Sequence, residues 1–424
     1  MDRLVIDDQR RRDLYLVVVK LTDVAARAGF VLAATYGLPI AQAGQFGLFV
    51  TLVTLFAFAF NFERHIDIQR RTAGEPHPVF DRAVTSALGF FAFNWLLMIP
   101  VFLVSAALLT HASWDLLGLA VLIVVGEHLS NQAYQYALIS PRYYPLLLVV
   151  TVKNIVLLMI VLYRALLSRE GFDLEFALEI WAIGAVMCTA ALGVMWAKLR
   201  QAEPRTRPFR FADDILGQHR ASATHFMLGL IAILILQYDR LAVGALMSLD
   251  QVGLYFRHTL LVSLAYQAFN VVSFNRITPA IFAEAKTQDI AHIRGRVLRE
   301  YGKTLIGTPL LLGAAWLANL LTGGAYAERF HLSLLLMAVM LAGFMLRAAA
   351  DFHALILNAR HREADVLRQQ AIAFVVGGVL LGLLTWRFGV YGAASAGVVT
   401  SGLYLALVAR SVAVAERRSA GAAA

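Results

Sequence analysis

The sequence has few charged residues for its length. Of its 424 residues, 15% are Asp, Glu, Lys or Arg and 59% are hydrophobic, and the mean hydropathy is +0.67. Soluble domains usually carry about 25% charged residues. This scarcity excludes an ordinary soluble protein and predicts a protein that crosses a membrane several times.

The chain also lacks most of the residue patterns on which catalysis and metal binding depend. Its single cysteine, Cys188, excludes an intrachain disulfide and a cysteine-built metal cluster, and we expect it to be an inert packing thiol in an apolar span. No glycine-rich loop followed by a lysine could cradle a nucleotide phosphate, and no His/Glu pair has metal-ligand spacing. We therefore expect no enzyme activity, no cofactor and no metal.

Long apolar runs fill most of the chain. Windows of about 20 apolar residues are long enough to cross a bilayer as helices, and these runs lack the alternation of barrel strands. We therefore predict an all-α integral membrane protein with about twelve transmembrane helices. The predicted spans are 14–36, 45–62, 83–109, 116–139, 144–163, 176–197, 221–247, 252–274, 298–321, 332–357, 366–386 and 391–409.

The basic residues predict the orientation of these spans. Most of the 37 Lys and Arg residues lie in the termini and in alternate connections on one side. The connections on the other side carry only Arg164, Arg169, Arg329 and Arg387. By the positive-inside rule both termini are expected to be cytoplasmic. Because the basic residues form no continuous stripe, nucleic acid is not an expected partner.

The longest polar connection, 198–220, divides the spans six and six. We predict an N-terminal bundle at 1–200, a cytoplasmic linker at 201–220 and a C-terminal bundle at 221–424. Both bundles would begin and end on the same side, so a repeat relating them would have parallel topology. A weak echo supports it: YGLPIAQAGQFGLF joins the first two spans, and VGALMSLDQVGLYF joins the seventh and eighth.

These segments carry a family resemblance. The other segments that carry it are LQYDRLAVGALMSLDQVGLYF, LILNARHREADVLRQQ and WRFGVYGAASAGVVTSG. Along its whole length the chain resembles the Wzx-type O-antigen flippases, which form the polysaccharide transporter branch of the multidrug/oligosaccharidyl-lipid/polysaccharide (MOP) superfamily. The resemblance implies two six-helix bundles related by pseudo-two-fold symmetry, as in MATE transporters. It also implies alternating-access transfer of an undecaprenyl-pyrophosphate-linked oligosaccharide to the outer leaflet, for O-antigen, exopolysaccharide or capsule synthesis. A glycan polymerase and a chain-length regulator would be possible partners beside the membrane lipids.

Charged side chains inside the spans point to an anionic cargo. A central Lys or Arg costs roughly 2.5 to 3.5 kcal/mol in a bilayer, so such residues are expected to face a bundle interior or a wet cavity. Ten charged residues of the spans are taken as intramembrane, and among these ten the cations outnumber the carboxylates by two. The cations are Lys20, Arg27, Lys153, Arg240, Arg257 and Arg347, and the carboxylates are Asp23, Glu127, Asp239 and Asp351.

Spacing assigns roles to some of these residues. Lys20, Asp23 and Arg27 share one face of the first span, and so do Glu127, Asn131, Tyr134 and Gln135 of the fourth. Arg347 and Asp351, four residues apart, are expected to neutralise each other. Polar packing between helices is the alternative explanation for each set. The residues predicted to contact the cargo are Lys20, Arg27, Lys153, Arg240, Arg257, Asn131 and Gln135, and the candidates for binding a coupling ion are Asp23, Glu127 and Asp239.

Three other functions stay open at this point. A cation-coupled exporter of drugs or of another lipid should have an acidic or aromatic cavity, whereas this sequence predicts a basic one. A membrane-embedded glycan polymerase, ligase or acyltransferase usually needs an outward loop with catalytic Arg or His, whereas the outward loops here are short and nearly uncharged. The third alternative is a scaffold for a glycan assembly complex.

Overall fold

The structure is a computed structural model that describes residues 2–72, 77–164, 172–201, 215–285, 287–321 and 332–423. These residues form twelve α-helices and one short 3-10 turn, and they contain no β-strand. The first seven helices are α1 (Asp2–Gly37), α2 (Ile40–Asn61), α3 (Arg64–Thr72), α4 (His77–Thr110), α5 (Trp114–Ile139), α6 (Tyr144–Leu162) and α7 (Leu174–Gln201). The other five are α8 (Ile215–Leu246), α9 (Leu249–Glu284), α10 (Ile290–Leu321), α11 (Leu334–Ala359) and α12 (Glu363–Ala423).

The long helices coincide with the predicted spans. Each of the twelve apolar runs falls on a helix, and the last two runs share α12. Within the described residues, eight helices are long and apolar enough to cross a membrane by length and composition. The predicted all-α, multi-pass membrane fold is therefore confirmed. Most of the predicted linker, 202–214, and the loop residues Arg169 and Arg329 lie outside the described residues.

Helix α12 reverses direction at a glycine. Gly389 has φ 59° and ψ −140°, a backbone conformation that side chains with a Cβ rarely adopt. On either side of this break the two arms pack against each other, and Gln370 Nε2 donates to the Tyr404 hydroxyl at 3.2 Å. The break lies between the eleventh and twelfth predicted spans, so α12 is a helical hairpin.

The chain divides into two compact units, Met1–Leu230 and Ile231–Ala424, called unit 1 and unit 2 below. In unit 1, α2 packs on α4 and α5, α5 packs on α7, and α1 packs on α6. In unit 2, α9 packs on α10 and α11, and α11 packs on α12. The order of neighbours around α2 and α5 thus recurs around α9 and α11. The parallel topology of the repeat stays a prediction. The division at 201–220 stays a prediction, because the boundary between the units falls within α8.

Candidate functional site

A cluster of charged side chains lies inside unit 1, where α1, α5, α6 and α7 meet. Its centre is Glu127 of α5, which is only 2% exposed. One carboxylate oxygen, Oε1, accepts hydrogen bonds from Lys153 Nζ at 2.6 Å and from Trp181 Nε1 at 2.9 Å. The other, Oε2, lies 3.6 Å from an Arg27 guanidinium nitrogen. A buried carboxylate is tolerated only when its charge is compensated in this way.

Helix α6 connects this centre to a second carboxylate. Asn154 follows Lys153 on α6, and its Nδ2 donates to Asp23 Oδ1 of α1 at 2.7 Å. Both α6 residues are buried, at 7% exposure for Lys153 and 4% for Asn154. Adjacent residues on one helix point about 100° apart, so α6 can present a cation to α5 and an amide to α1 at the same level.

One cation of the cluster lies beside an aromatic ring. Lys20 Nζ of α1 lies 4.8 Å from the centroid of the Tyr134 ring of α5, within the range of a cation–π interaction. The cluster therefore holds three cations, Lys20, Arg27 and Lys153, and two carboxylates, Asp23 and Glu127. At neutral pH, with each group in its usual ionised form, these five side chains carry a surplus of one positive charge.

The three cations differ in their exposed fraction, which determines whether an anion can contact them. The Lys153 side chain is 3% exposed and is held by Glu127, with the Ser130 hydroxyl a further 3.5 Å contact. The Arg27 side chain is 37% exposed and makes the longer contact with Glu127, while Lys20 is half-buried. An anion reaching the cluster can therefore contact Arg27 and Lys20 without breaking the buried pair.

Two members of the cluster did not follow from sequence reasoning. Trp181 of α7 is 3% exposed, and Ser130 of α5 lies between Lys153 and Cys188, with its hydroxyl 3.6 Å from the Cys188 sulfur. A buried indole N–H needs an acceptor, so a tryptophan well inside an apolar span is a signal for a nearby buried oxygen. Asn131 and Gln135, predicted beside Glu127, are half-buried on α5.

Unit 2 brings together another pair of predicted residues. Asp239 of α8 accepts a hydrogen bond from the Tyr255 hydroxyl at 2.6 Å and from the backbone N–H of Arg240 at 2.8 Å. The Arg240 guanidinium donates to Gln237 Oε1 at 2.7 Å and lies 5.6 Å from the Phe256 ring centroid. The side chains of Asp239 and Arg240 therefore do not pair with each other. This is expected for adjacent residues of one helix, because their side chains point about 100° apart.

The remaining intramembrane cations lie elsewhere in unit 2. Arg347 Nε is 3.0 Å from Asp351 on the same helix, which confirms the predicted i, i+4 pair, and its guanidinium lies 4.9 Å from the Tyr404 ring centroid. Arg257 is buried at 4% exposure, next to His258, whose Nε2 accepts from the Ser333 backbone N–H at 2.6 Å.

Comparison with known proteins identifies the fold. No protein-family model matches the chain, and no curated protein sequence matches it. Solved structures do match, among them a flippase and a multidrug resistance transporter. The structure titled "Lipid II flippase MurJ, inward closed conformation" has a TM-score of 0.68 at 12% identity, with 94% of this chain and 87% of that one covered. An inward-facing multidrug resistance MATE family transporter of the MOP superfamily has a TM-score of 0.61 at 13% identity, with 95% and 96% covered.

The chain shares the fold of these two transporter structures. The agreement extends over nearly the whole of both matched chains. At this level of sequence identity the comparison establishes architecture and leaves the Wzx-type assignment and the cargo to be argued from the site.

Proposed function

We propose that the protein is a Wzx-type flippase that moves an undecaprenyl-pyrophosphate-linked oligosaccharide from the inner to the outer leaflet of the bacterial cytoplasmic membrane. The observation that carries the proposal is the surplus of positive charge in the unit 1 cluster, where Arg27 and Lys20 keep accessible surface. The fold shared with a lipid II flippase supports a lipid-linked cargo. Both termini would be cytoplasmic, and a glycan polymerase and a chain-length regulator are candidate partners.

The cations of the cluster would have two different roles. Arg27 is 3.6 Å from Glu127, longer than an ideal charge-assisted hydrogen bond of about 2.7 to 2.9 Å. A pyrophosphate oxygen can replace this long contact with a short one. Lys20 can turn from the Tyr134 ring to a second oxygen, since a charged phosphate oxygen attracts the ammonium more strongly than the ring, whose cation–π contact is worth about 0.5 to 2 kcal/mol.

Lys153 would act on the carboxylate instead of the cargo. Its 2.6 Å contact compensates Glu127 inside the bundle, so Glu127 stays charged and in place when Arg27 turns to the anion. Without Lys153, Glu127 would compete with the cargo for Arg27. Asn131 and Gln135, half-buried on α5 near the cluster, are suited to hydrogen-bond sugar hydroxyls.

The membrane potential can supply the driving force. An anion that leaves a negative cytoplasm gains about 2.3 kcal/mol per charge per 100 mV, so a diphosphate of roughly two charges would gain about 4 to 5 kcal/mol. This is enough for outward transfer without nucleotide hydrolysis and without an obligatory coupling ion.

A binding and transport experiment tests the proposal. In proteoliposomes, Arg27→Gln should weaken binding of a lipid-pyrophosphate oligosaccharide about 10- to 100-fold, because a charged hydrogen bond of about 1.5 to 3 kcal/mol is lost. Transfer to the opposite leaflet should fall with it. Arg71→Gln is the matched control, since the Arg71 side chain is 59% exposed on α3 and binds Asp67, outside the cluster.

The same preparation separates the main alternative. A drug exporter, as the MATE neighbour is titled, would transport organic cations and would gain affinity for them in Arg27→Gln, because a repelling charge is removed. Equal binding of the anionic lipid by the wild type and Arg27→Gln would contradict the flippase proposal.

A further inference from the structure

His219, near the start of α8, lies between two oxygen atoms. Its ring nitrogen Nδ1 is 2.8 Å from the backbone carbonyl oxygen of Ile215, and Nε2 is 3.0 Å from Asn94 Oδ1 of α4. The histidine is half-buried, so protons from water can reach it. The proposed transport site uses neither His219 nor Asn94.

The orientation of the Asn94 amide is fixed by its other partner. Asn94 Nδ2 donates to the backbone carbonyl oxygen of Phe60 in α2 at 3.0 Å. A carbonyl oxygen can only accept, so the amide nitrogen faces Phe60 and the amide oxygen faces His219. Asn94 therefore presents an acceptor to Nε2 of the histidine ring.

Both partners of the His219 ring are thus acceptors. A neutral imidazole has one N–H, so its second nitrogen would turn a lone pair toward an oxygen atom. An imidazolium has two N–H groups and donates to Ile215 and to Asn94 at the same time. The geometry around His219 is therefore the one that its charged form requires.

The surroundings of the imidazole suit a positive charge. Its centroid lies 4.4 Å from that of Phe90, 4.8 Å from that of Phe62 and 5.9 Å from that of Phe93. Aromatic rings attract cations at centroid distances up to about 6 Å. His219 also lies one turn after the start of α8 at Ile215, beyond the first turn, where the positive end of a helix opposes a cation most strongly.

His258 of unit 2 shows the opposite arrangement. Its Nδ1 lies 2.7 Å from the backbone carbonyl oxygen of Leu254, four residues earlier, just as Nδ1 of His219 lies beside Ile215. Its Nε2, however, accepts from the Ser333 backbone N–H at 2.6 Å. A second proton would break this bond of His258, whereas a second proton completes the bond between His219 and Asn94.

We propose that His219 is a proton-binding site that fastens the start of α8 to α4, so that protonation strengthens this contact and loss of the proton weakens it. The adjoining connection, 198–220, is predicted to be cytoplasmic, so the site would respond to cytoplasmic pH. It shares no residue with the cluster around Glu127 and does not depend on the proposed function.

Other titratable or charged groups near this contact could produce the same pH response. They are Glu63 and His65 on the turn between α2 and α3, and Arg220 and His225 on α8. In α4, the stretch 83–110 contains no Asp, Glu, Lys, Arg or His. Glu63 is the main rival, because its Oε1 would lie 3.0 Å from a Cβ at Gly229 of α8.

Amide hydrogen exchange along α8 tests the proposal. The full chain in nanodiscs is measured at about pH 5.5 and about pH 8, on either side of the range in which histidines change charge, with rates corrected for the intrinsic effect of pH. In the wild type, residues 219–230 should exchange about 10-fold faster at the higher pH, as expected for the loss of one charged hydrogen bond. His219→Gln and Asn94→Leu should each remove this difference.

Two control variants assign the response to His219. His258→Gln should keep the pH difference in residues 219–230, because His258 lies in unit 2 and its bond to Ser333 requires the neutral form. Glu63→Gln should keep it as well. The proposal is overturned if the wild type exchanges equally at both pH values, or if Glu63→Gln removes the difference while His219→Gln retains it.

Discussion

Lys153 and Glu127 form an ion pair of 2.6 Å in which both side chains are 3% exposed. The two residues are 26 positions apart and come from the middle of two different helices, α5 and α6. Removing one partner of such a buried pair leaves an uncompensated charge, which costs about 3 to 5 kcal/mol, whereas replacing both with apolar or neutral groups is often tolerated. This relationship determines how the centre of unit 1 should respond to mutation.

The first prediction concerns the stability of this pair. Glu127→Gln should lower the free energy of unfolding by about 3 to 5 kcal/mol, because it removes the carboxylate that compensates both Lys153 and Arg27. Lys153→Met should cost less, since Glu127 keeps Arg27 and the Trp181 N–H as partners. The double variant should recover part of the loss, with a coupling energy of about 0.5 to 3 kcal/mol.

Thermal unfolding in detergent micelles measures all three variants. The control is Lys303→Met: Lys303 contacts Glu300 at the same 2.6 Å, but its side chain is 53% exposed. Glu300 is 11% exposed, but because the Lys303 ammonium keeps its contacts with water, losing this contact should cost much less than losing the central pair, about 1 kcal/mol. If Lys303→Met and Glu127→Gln shift the melting temperature equally, burial does not control the strength of the central pair.

The second prediction concerns the close approach of α5 and α7. A Cβ at Gly126 would lie 2.7 Å from the Ala185 Cβ and 3.1 Å from the Ala185 carbonyl oxygen. Gly126→Val should therefore force the helices apart, at a cost of about 1 to 3 kcal/mol, and lengthen the contact between Glu127 and Trp181. Trp181 fluorescence, measured in a variant whose other tryptophans are replaced by phenylalanine, should report the change.

A compensating substitution distinguishes this steric effect from others. Ala185→Gly removes the nearer of the two obstacles, so Gly126→Ala should be better tolerated in an Ala185→Gly background than alone. Gly118→Val, on the same helix with open space around it, should leave both stability and fluorescence unchanged. A loss of stability in Gly118→Val as large as in Gly126→Val would exclude helix approach as the cause.

The positions of the membrane helices could be predicted from the sequence because hydrophobic runs of this length have few alternatives in a bilayer. All twelve runs fall on helices. The start of α1 at Asp2 and the short helix α3 were not predicted. Both are too polar to stand out by hydropathy, since Arg64, Asp67 and Arg71 dominate α3.

The membership of the unit 1 cluster was largely predictable, but its pairing was not. Lys20, Asp23 and Arg27 share a face of α1, so spacing favours an ion pair within that helix. In the structure, Asp23 instead accepts a hydrogen bond from Asn154, 131 residues away, and Glu127 pairs with Lys153. Which residues of two helices meet depends on the register of their packing, and the spacing within one helix holds no information about that register.

The third prediction concerns the reversal of α12. Gly389→Ala should destabilise the protein by about 1 to 3 kcal/mol, because the backbone conformation at φ 59° and ψ −140° is strained for any residue with a Cβ. Gly382→Ala, within the first arm and with open space around it, should instead be neutral or stabilise the helix by up to about 1 kcal/mol. Opposite signs of the two melting-temperature shifts are the expected outcome. Equal shifts would show that the reversal does not depend on glycine.

The last prediction tests direction and driving force together. In proteoliposomes, a potential that is negative on the cytoplasmic face should speed transfer of the anionic lipid to the opposite leaflet in the absence of a pH or sodium gradient, because each charge gains about 2.3 kcal/mol per 100 mV. Reversing the sign should slow transfer. Asp23 accepts its described side-chain hydrogen bond from the neutral Asn154 amide. Asp23→Asn therefore removes a negative charge from the cluster, so it should raise the surplus of positive charge and preserve the response of transfer to voltage.

If transfer ignores the potential, follows only an imposed proton gradient, and loses its response to that gradient in Asp23→Asn or Glu127→Gln, the electrophoretic mechanism is wrong. An antiporter would then replace it, in which the basic residues hold the cargo while proton exchange at Asp23 or Glu127 returns the empty carrier to the inner leaflet.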